Sequence, residues 1–208
     1  MSRPQPAATS PQAVYIETPN VYIRTLTVDD ASDRWAAWFD EPAVREGLNL
    51  GGERKTKADI VAYVRKFDQV SSILLGLFDR TNDLLFGLAT VYIDRSIGRC
   101  LANIVVGDSA YRHRGAMLEA TPPFRDHFFE TLDLKVMTAT ALATNKPVIA
   151  YLDKTGWTLS QTLKGHARSA ADGSLIDLNL YSLTRDAWNA WKAENPDLLG
   201  AMRTGTLR

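Results

Sequence analysis

Apolar and polar positions change their spacing several times along the chain, and each spacing predicts a different element. Residues 14–27 contain two short β runs around a Pro-Asn turn. Residues 28–48 and 53–67 show apolar residues at helical spacing, which predicts two helices. Three apolar runs follow with short turns between them, which predicts antiparallel strands at 71–79, 84–94 and 99–108. The N-caps predicted for the two helices are Asp29 or Asp30, and Thr56.

The second half of the chain alternates between segments with helical spacing of apolar residues and segments with strand-like alternation. Residues 110–132 are a loop followed by a helix, and Pro122 and Pro123 predict an interruption there, with Thr121 as the N-cap of a restarted helix. Thr184 is the predicted cap of the last helix. The remaining predicted elements are a strand at 135–142, a helix at 145–156, strands at 157–167 and 174–184, and a helix at 185–196.

This order predicts an α/β protein of the α+β type, with a mixed sheet and a strand-to-helix junction near residue 112. Residues 1–13 are rich in Pro, Ser, Ala and Gln and predict a flexible tail. Residues 14–194 form a single predicted domain, and residues 195–208 a C-terminal tail.

Composition restricts the classes of function. Lys plus Arg and Asp plus Glu balance at 24 each in 208 residues, so the net charge favours neither nucleic acid nor an anionic membrane as a partner. The one cysteine and three unpaired histidines argue against a disulfide and against a metal site. No apolar run is long enough to span a membrane, and the N-terminus lacks the apolar core of a signal peptide, so we expect a cytoplasmic protein.

The junction near residue 112 is the first candidate site. A strand, a short loop with Gly115 and a helix start follow one another directly in VVGDSAYRHRGAMLEA. Such a junction presents unpaired backbone N–H groups and the positive end of a helix dipole, which together bind anions. Arg112 and Arg114 add charge suited to a diphosphate, although arginines in such a loop are more often simply solvated.

Four segments, in order, resemble the Gcn5-related N-acetyltransferase (GNAT) superfamily, and most of all its ribosomal-protein N-terminal acetyltransferases. RHRGAM matches two fixed positions of that family's Arg/Gln-x-x-Gly-x-Gly/Ala cofactor loop, with Met117 departing at the third. The other segments are FDEPAVREGL, NKPVIAYLDKTGW and LIDLNLYSLTRDAW, and the resemblance covers roughly residues 20 to 192. It implies a central, mostly antiparallel sheet flanked by helices.

The resemblance also implies acetyl-CoA as co-substrate and a set of residues that bind it. Backbone groups at the end of a strand would pair with the pantetheine arm, and the loop would offer N–H groups to the pyrophosphate. The residues implied are Val105, Val106 and Gly107 for the arm, Arg112, His113, Arg114, Gly115, Ala116 and Met117 for the pyrophosphate, and Asn145 in the second cofactor motif.

Transfer of an acyl group from a thioester to an amine needs a neutral amine, an N–H donor for the developing oxyanion and, for the thiolate, a proton donor. Tyr151 has the only donor hydroxyl on the 145–156 helix that suits this role, but it stands one residue before the position where the family has its tyrosine, which is Leu152 here. One residue on a helix is a rotation of roughly 100°, so packing is an equally good interpretation of Tyr151. The candidate bases are Asp40, Glu41, Glu46 and Asp108, and a water-relayed base is an alternative.

Two hypotheses follow. The first is an N-acetyltransferase that brings acetyl-CoA and a primary amine together for direct attack, with a protein N-terminus or a small molecule as acceptor. The second is a protein of the same fold that binds acyl-CoA or a protein partner without turnover. We expect neither nucleic acid nor membrane as a partner, and a homodimer is compatible with both hypotheses.

Overall fold

The computed structural model describes residues 13–112 and 115–207. The predicted flexible tail, apart from residue 13, and the loop residues His113 and Arg114 lie outside the described residues.

One open sheet of eight strands forms the centre of the molecule, in the order β1-β2-β3-β4-β5-β6-β8-β7. Every neighbouring pair is antiparallel except β5 and β6, which are parallel. The strands are β1 Tyr15–Glu17, β2 Val21–Thr25, β3 Ser72–Asp79, β4 Leu85–Asp94, β5 Arg99–Val106, β6 Val136–Leu142, β7 Thr158–Arg168 and β8 Leu175–Thr184. The prediction of a mostly antiparallel sheet flanked by helices is therefore confirmed.

Helices cover the sheet and form the connections between its strands. The α-helices are α1 Asp33–Ala37, α2 Pro42–Gly47, α3 Lys57–Val64, α4 Ala116–Asp126, α5 Lys146–Lys154, α6 Arg185–Glu194 and α7 Pro196–Thr204. Short 3-10 turns occupy Val28–Asp30, Trp38–Asp40 and Ser109–Tyr111, and a π-helical turn, His127–Thr131, continues α4.

Two of the predicted caps are present: Thr56 and Thr184 each accept a backbone N–H at the start of α3 and α6. Asn145 also caps its helix, at the start of α5. The first helix differs, because Ser32 rather than Asp29 or Asp30 accepts from the N–H of Trp35. The two aspartates lie instead in the preceding 3-10 turn.

Two further predictions are corrected by the structure. The helix does not restart at Thr121, since α4 runs continuously through Pro122 and Pro123. The segment predicted as a C-terminal tail contains α7, whose Met202 is fully buried in the main core between sheet and helices. Leu198 and Met202 are four residues apart and both pack on this core, but two such positions in a nine-residue helix give too short a periodic signal to distinguish it from a tail.

Candidate functional site

The parallel strands β5 and β6 pair over only three residues and then part. The paired residues are Arg99, Cys100 and Leu101 with Val136, Met137 and Thr138. Beyond them the side chain of Asn103 spans the opening, where its Oδ1 lies 3.4 Å from both the backbone N and the Oγ1 of Thr140. The rest of β5 keeps its partner β4 on one side and faces the opening on the other.

The end of β5 is bent where it reaches this opening. The N–H groups of Gly107 and Asp108 both donate to the carbonyl of Phe86, at 3.0 and 3.1 Å. Two residues of one strand thus oppose one residue of the next, as in a β-bulge. Gly107 is buried, and a Cβ there would overlap the ring of the buried Trp38. The predicted pantetheine strand, Val105 to Gly107, therefore ends between a bulge and an indole ring.

Helix α4 is the next α-helix along the chain after this bend. Gly115 is its N-cap, with a left-handed φ of 72°, and no described side chain caps the first turn. The backbone N–H groups at the start of this helix are therefore available to an anion. The chain returns here at its end, because a Cβ on Gly115 would overlap the carbonyl oxygen of Leu207. Glycine is required at this position both for its φ and for that close approach.

Arg112 does not extend freely into the loop. Its guanidinium donates to the carbonyls of Val106, at 3.3 Å, and Gly107, at 2.7 Å. It also forms an ion pair with Glu41 at 2.9 Å. The side chain thus connects the end of β5 to the start of α2 through its Nε and Nη2 atoms.

Met117, the departure from the family loop, is half-buried and packs against the main core. With Ile104, Ala120, Thr121 and Phe124 it lines a small, almost wholly apolar cavity of ≈ 10 Å³, about the space of a single water probe. Ala116, beside it, is buried in the same core. Both residues therefore present backbone rather than side chain to the helix start.

Asn145 uses both ends of its side-chain amide within the protein. Its Oδ1 accepts from the N–H of Val148 at 3.3 Å, and its Nδ2 donates to the carbonyl of Gly47 at 3.1 Å. It therefore caps α5 and ties that helix to the end of α2.

Tyr151 points from α5 toward α4. Its hydroxyl lies 2.7 Å from Oγ1 of Thr121, which donates in turn to the carbonyl of Met117 at 2.7 Å. Because the single proton of Thr121 is used in the second bond, Tyr151 is the donor in the first.

A second polar contact lies one turn further along both helices. Arg125 donates to the carbonyl and Oγ1 of Thr155, at 2.5 and 2.7 Å. Thr121 and Arg125 are each 2% exposed, and Thr155 is 0% exposed. Burial lowers the pKa of Arg125, and the neighbouring Tyr151 opposes that shift. We call Thr121, Arg125, Tyr151 and Thr155 the polar ladder.

The polar ladder was not predicted from the sequence. Its signal is present, because polar residues four apart occur on each helix, and such residues share one face. The sequence does not show that these two faces meet. Asn103 and Leu207 were missed for the same reason, since their contacts are with residues distant in the chain.

Three of the four candidate bases are already paired. Asp40 pairs with Arg54 at 2.5 Å, Glu41 with Arg112, and Asp108 with Arg34. Asp108 also caps the 3-10 turn by accepting from the N–H of Ala110. Glu46 is exposed on α2.

In the part of the chain that the structure describes, no group of three or more His, Cys, Asp or Glu side chains is placed to hold a metal ion. No helix among residues 13–112 and 115–207 is long and apolar enough to cross a membrane.

Comparison with known proteins adds to this geometry. Residues 20–158 match the family model described as an acetyltransferase (GNAT) domain. No curated protein matches the chain significantly.

Solved structures resemble the fold closely at low sequence identity. Ribosomal-protein-S5-alanine acetyltransferase from Vibrio fischeri is 16% identical with a TM-score of 0.71, covering 84% of this chain and 98% of that one. A GCN5-related N-acetyltransferase from Brucella melitensis is 17% identical with a TM-score of 0.71, covering 93% and 85%. RimL, a ribosomal L7/L12 alpha-N-protein acetyltransferase, is 12% identical with a TM-score of 0.71, covering 83% and 95%. At these identities the likeness shows the fold alone.

Proposed function

The chain belongs to the GNAT acetyltransferase family, and from that premise we propose that it transfers an acetyl group from acetyl-CoA to a primary amine. Both substrates are held at once, and the neutral amine attacks the thioester carbon directly. The acceptor class is a protein N-terminus or a small amine, and the resemblance of the motifs to ribosomal-protein N-terminal acetyltransferases favours testing N-termini first. We propose that this transfer takes place in the cytoplasm.

The observation that supports this most is the opening between β5 and β6 beside an uncapped helix start. Three parallel pairs are followed by a strand edge, Asn103 to Val106, that has no backbone partner on the β6 side among the described residues. An extended arm with amide groups can pair with such an edge as a further strand does. The start of α4 stands at the end of that edge, where N–H groups and the helix dipole suit a diphosphate.

The residues divide by the part of the cofactor they would meet. Val105, Val106 and Gly107 would pair with the pantetheine arm through their backbone. The loop from Arg112 through His113, Arg114, Gly115 and Ala116 to Met117 would bind the pyrophosphate, mainly through N–H groups. Asn145 holds α5 beside the opening, and Tyr151 would give its proton to the departing thiolate of CoA.

A second candidate function is binding of acyl-CoA or a protein partner without turnover. Its support is that the side chains of Arg112 and Asn145 and three of the four candidate bases already have partners within the protein. Under this hypothesis the opening binds a thioester but no amine is activated beside it.

Calorimetry with acetyl-CoA, followed by a panel of amines, tests the two functions. The panel contains short peptides with free N-termini, the same peptides with blocked N-termini, and aminosugars, and the readout is release of the CoA thiol. The proposed function predicts binding and thiol release only with free amines. Absence of binding at high micromolar acetyl-CoA would contradict the proposed function and leave only a protein partner for the second, whereas binding without transfer to any amine of the panel would favour the second.

A matched pair of variants tests the site. Gly115→Ala places a Cβ against the carbonyl of Leu207 and forces a non-glycine residue to positive φ, so it is expected to weaken acetyl-CoA binding at least tenfold. Gly173→Ala, also at positive φ but on the β7–β8 turn with open space around it, is the control for backbone strain alone. Equal binding by the two variants would place the cofactor elsewhere.

A further inference from the structure

Three of the four side chains of the polar ladder between α4 and α5, Thr121, Arg125 and Thr155, are almost completely buried. Polar side chains in a protein interior are costly unless fully bonded, and a buried cation is costly without a counter-ion. Among the described residues, Arg125 forms no ion pair with a carboxylate, and the nearby Asp126 is bonded to Trp188 Nε1 at 2.7 Å and Lys192 at 2.9 Å. The ladder therefore contains one buried positive charge, which is stabilised by the ring faces of Trp157 and Trp188, 5.4 and 4.7 Å from the guanidinium carbon, and by the neighbouring Asp126 rather than by an ion pair.

The geometry places this charge beside the Tyr151 hydroxyl. Thr121 and Arg125 are four residues apart on α4, and Tyr151 and Thr155 are four apart on α5, so each pair lies on one face of its helix. Thr155 also donates to the carbonyl of Tyr151 at 2.8 Å, which joins the two contacts into one network. A negative charge on the Tyr151 oxygen would lie next to the guanidinium and to the Thr121 hydroxyl.

Thr121 connects the network to the inner face of β5. Its side chain lines the small interior cavity between the sheet and α4, together with Ile104 on the separated part of β5, Met117 in the first turn of α4, and the buried Ile23 and Leu77. The Tyr151 oxygen is one hydrogen bond from that lining. Tyr151 stands one residue before the family position, which rotates its side chain by roughly 100° about the helix axis. In this direction its hydroxyl contacts Thr121 of α4.

We infer that Thr121 and Arg125 are positioning residues that hold Tyr151 in place and stabilise its oxygen while it gives its proton to the thiolate. This rests on the proposed function. The amine nitrogen bonds to the acetyl carbon, the carbon–sulfur bond breaks, and the sulfur takes the proton of Tyr151. Thr121 then turns its hydroxyl from the carbonyl of Met117 to the phenolate, and the proton lost by the acetylated nitrogen returns to Tyr151 through water.

A double-mutant cycle tests this. Thr121→Val keeps the shape and removes the hydroxyl, and Tyr151→Phe removes the proton donor. With acetyl-CoA and hydroxylamine, a small amine that is neutral near pH 7, we expect Tyr151→Phe to lower kcat about 100-fold. Thr121→Val should lower it about fivefold with an unchanged KM for acetyl-CoA. In the Tyr151→Phe background, Thr121→Val should have no further effect, because its role acts through the tyrosine.

A second readout separates positioning from folding. The acetyl thioester of CoA is compared with its selenium analogue, whose selenolate leaves without protonation, so the analogue should restore kcat in both single variants. Arg125→Lys is expected to lower kcat with acetyl-CoA and to be restored in the same way. Thr162→Val, which removes a threonine hydroxyl bonded to Asn179 on the β7–β8 hairpin, is the control and should leave kcat unchanged with both donors.

The outcomes are distinct. If the wild-type protein binds acetyl-CoA and transfers the acetyl group but Tyr151→Phe is fully active, the inference and the role of Tyr151 are wrong, while acetyl transfer to an amine stands. If Thr121→Val lowers kcat equally in both backgrounds, or the selenium analogue restores nothing, Thr121 serves stability alone. If the wild-type protein neither binds acetyl-CoA nor acetylates any amine, the proposed function fails and the inference with it.

Discussion

Residues distant in the chain restrict which side chain a single position can hold, and Gly107 is the clearest case. Its Cα lies against the indole ring of Trp38, which is 4% exposed and belongs to the second apolar cluster, around α1 and α3. The bulge at the end of β5 is held in this position by packing as well as by hydrogen bonds.

Gly107→Ala is therefore expected to destabilise the fold by about 1–3 kcal/mol, because either the ring or the strand end must move. Chemical denaturation measures this. Gly200→Ala is the control, since a Cβ there meets no atom within 4 Å and alanine is a better helix former in α7. The prediction would be contradicted by equal midpoints for the two variants.

Cys100 is the other residue whose environment gives a direct chemical expectation. It is 1% exposed, and burial raises the pKa of its thiol to about 12. The thiolate is the reactive form, so at pH 8 the folded protein should resist iodoacetamide for hours while the unfolded protein reacts fully. Mass spectrometry of the intact protein counts the added groups. Rapid alkylation of the folded protein would show that the core opens locally at β5.

Elements were predicted well where one periodic pattern fills one element. Strands β3 to β6 and helices α3, α5 and α6 follow from alternation, helical spacing and caps such as Thr56 and Thr184. The prediction was wrong where tertiary packing decides. Pro122 and Pro123 remain inside α4 because the helix is held on both sides, by Glu119 bonded to Thr18 and Asn20 and by Arg125 bonded to Thr155.

Helix α7 is not predicted by the sequence pattern, and it helps to hold α4 in place. It packs against α4, with Met202 fully buried. The residues after it reach the start of α4, where Gly205 lies against Asn20 and Glu119.

Met202→Ala is expected to cost about 2–5 kcal/mol of unfolding free energy, in the range of other buried large-to-small changes. Because α7 leads to Leu207 beside Gly115, the same variant should also weaken acetyl-CoA binding. Urea denaturation and calorimetry measure the two effects. Asp197→Ala, at an exposed position of the same helix, is the control and should change stability by less than about 0.5 kcal/mol. Wild-type stability in Met202→Ala would show that α7 is only loosely attached.

At the scale of the whole molecule, the sheet consists of two parts joined at one short seam. Strands β1 to β5 form one part and β6, β8 and β7 the other, and only three parallel pairs connect them through the sheet. Asn145 to Gly47, and Asn49 to the backbone of Arg168 and Ala170, connect the two parts outside the sheet. The sequence predicts the loop and the strand end, and the family resemblance implies the helix with Asn145 and Tyr151, but the contacts that bring these elements together join the two parts and could not be predicted.

A ligand in the opening would contact both parts and should stabilise the protein as a unit. At a concentration 100 times its Kd, a ligand that binds only the folded state adds about 2.7 kcal/mol of stability. For a chain of this size that corresponds to a rise in Tm of roughly 5–10 °C. Differential scanning calorimetry with acetyl-CoA at increasing concentration measures this rise, and a single transition that moves as a whole is expected. Asn103→Ala, which removes the side chain spanning the opening, should lower Tm without ligand and still give a single transition, because one apolar core spans both parts. Two transitions in the wild-type protein that acetyl-CoA does not merge would place the binding site within one part alone.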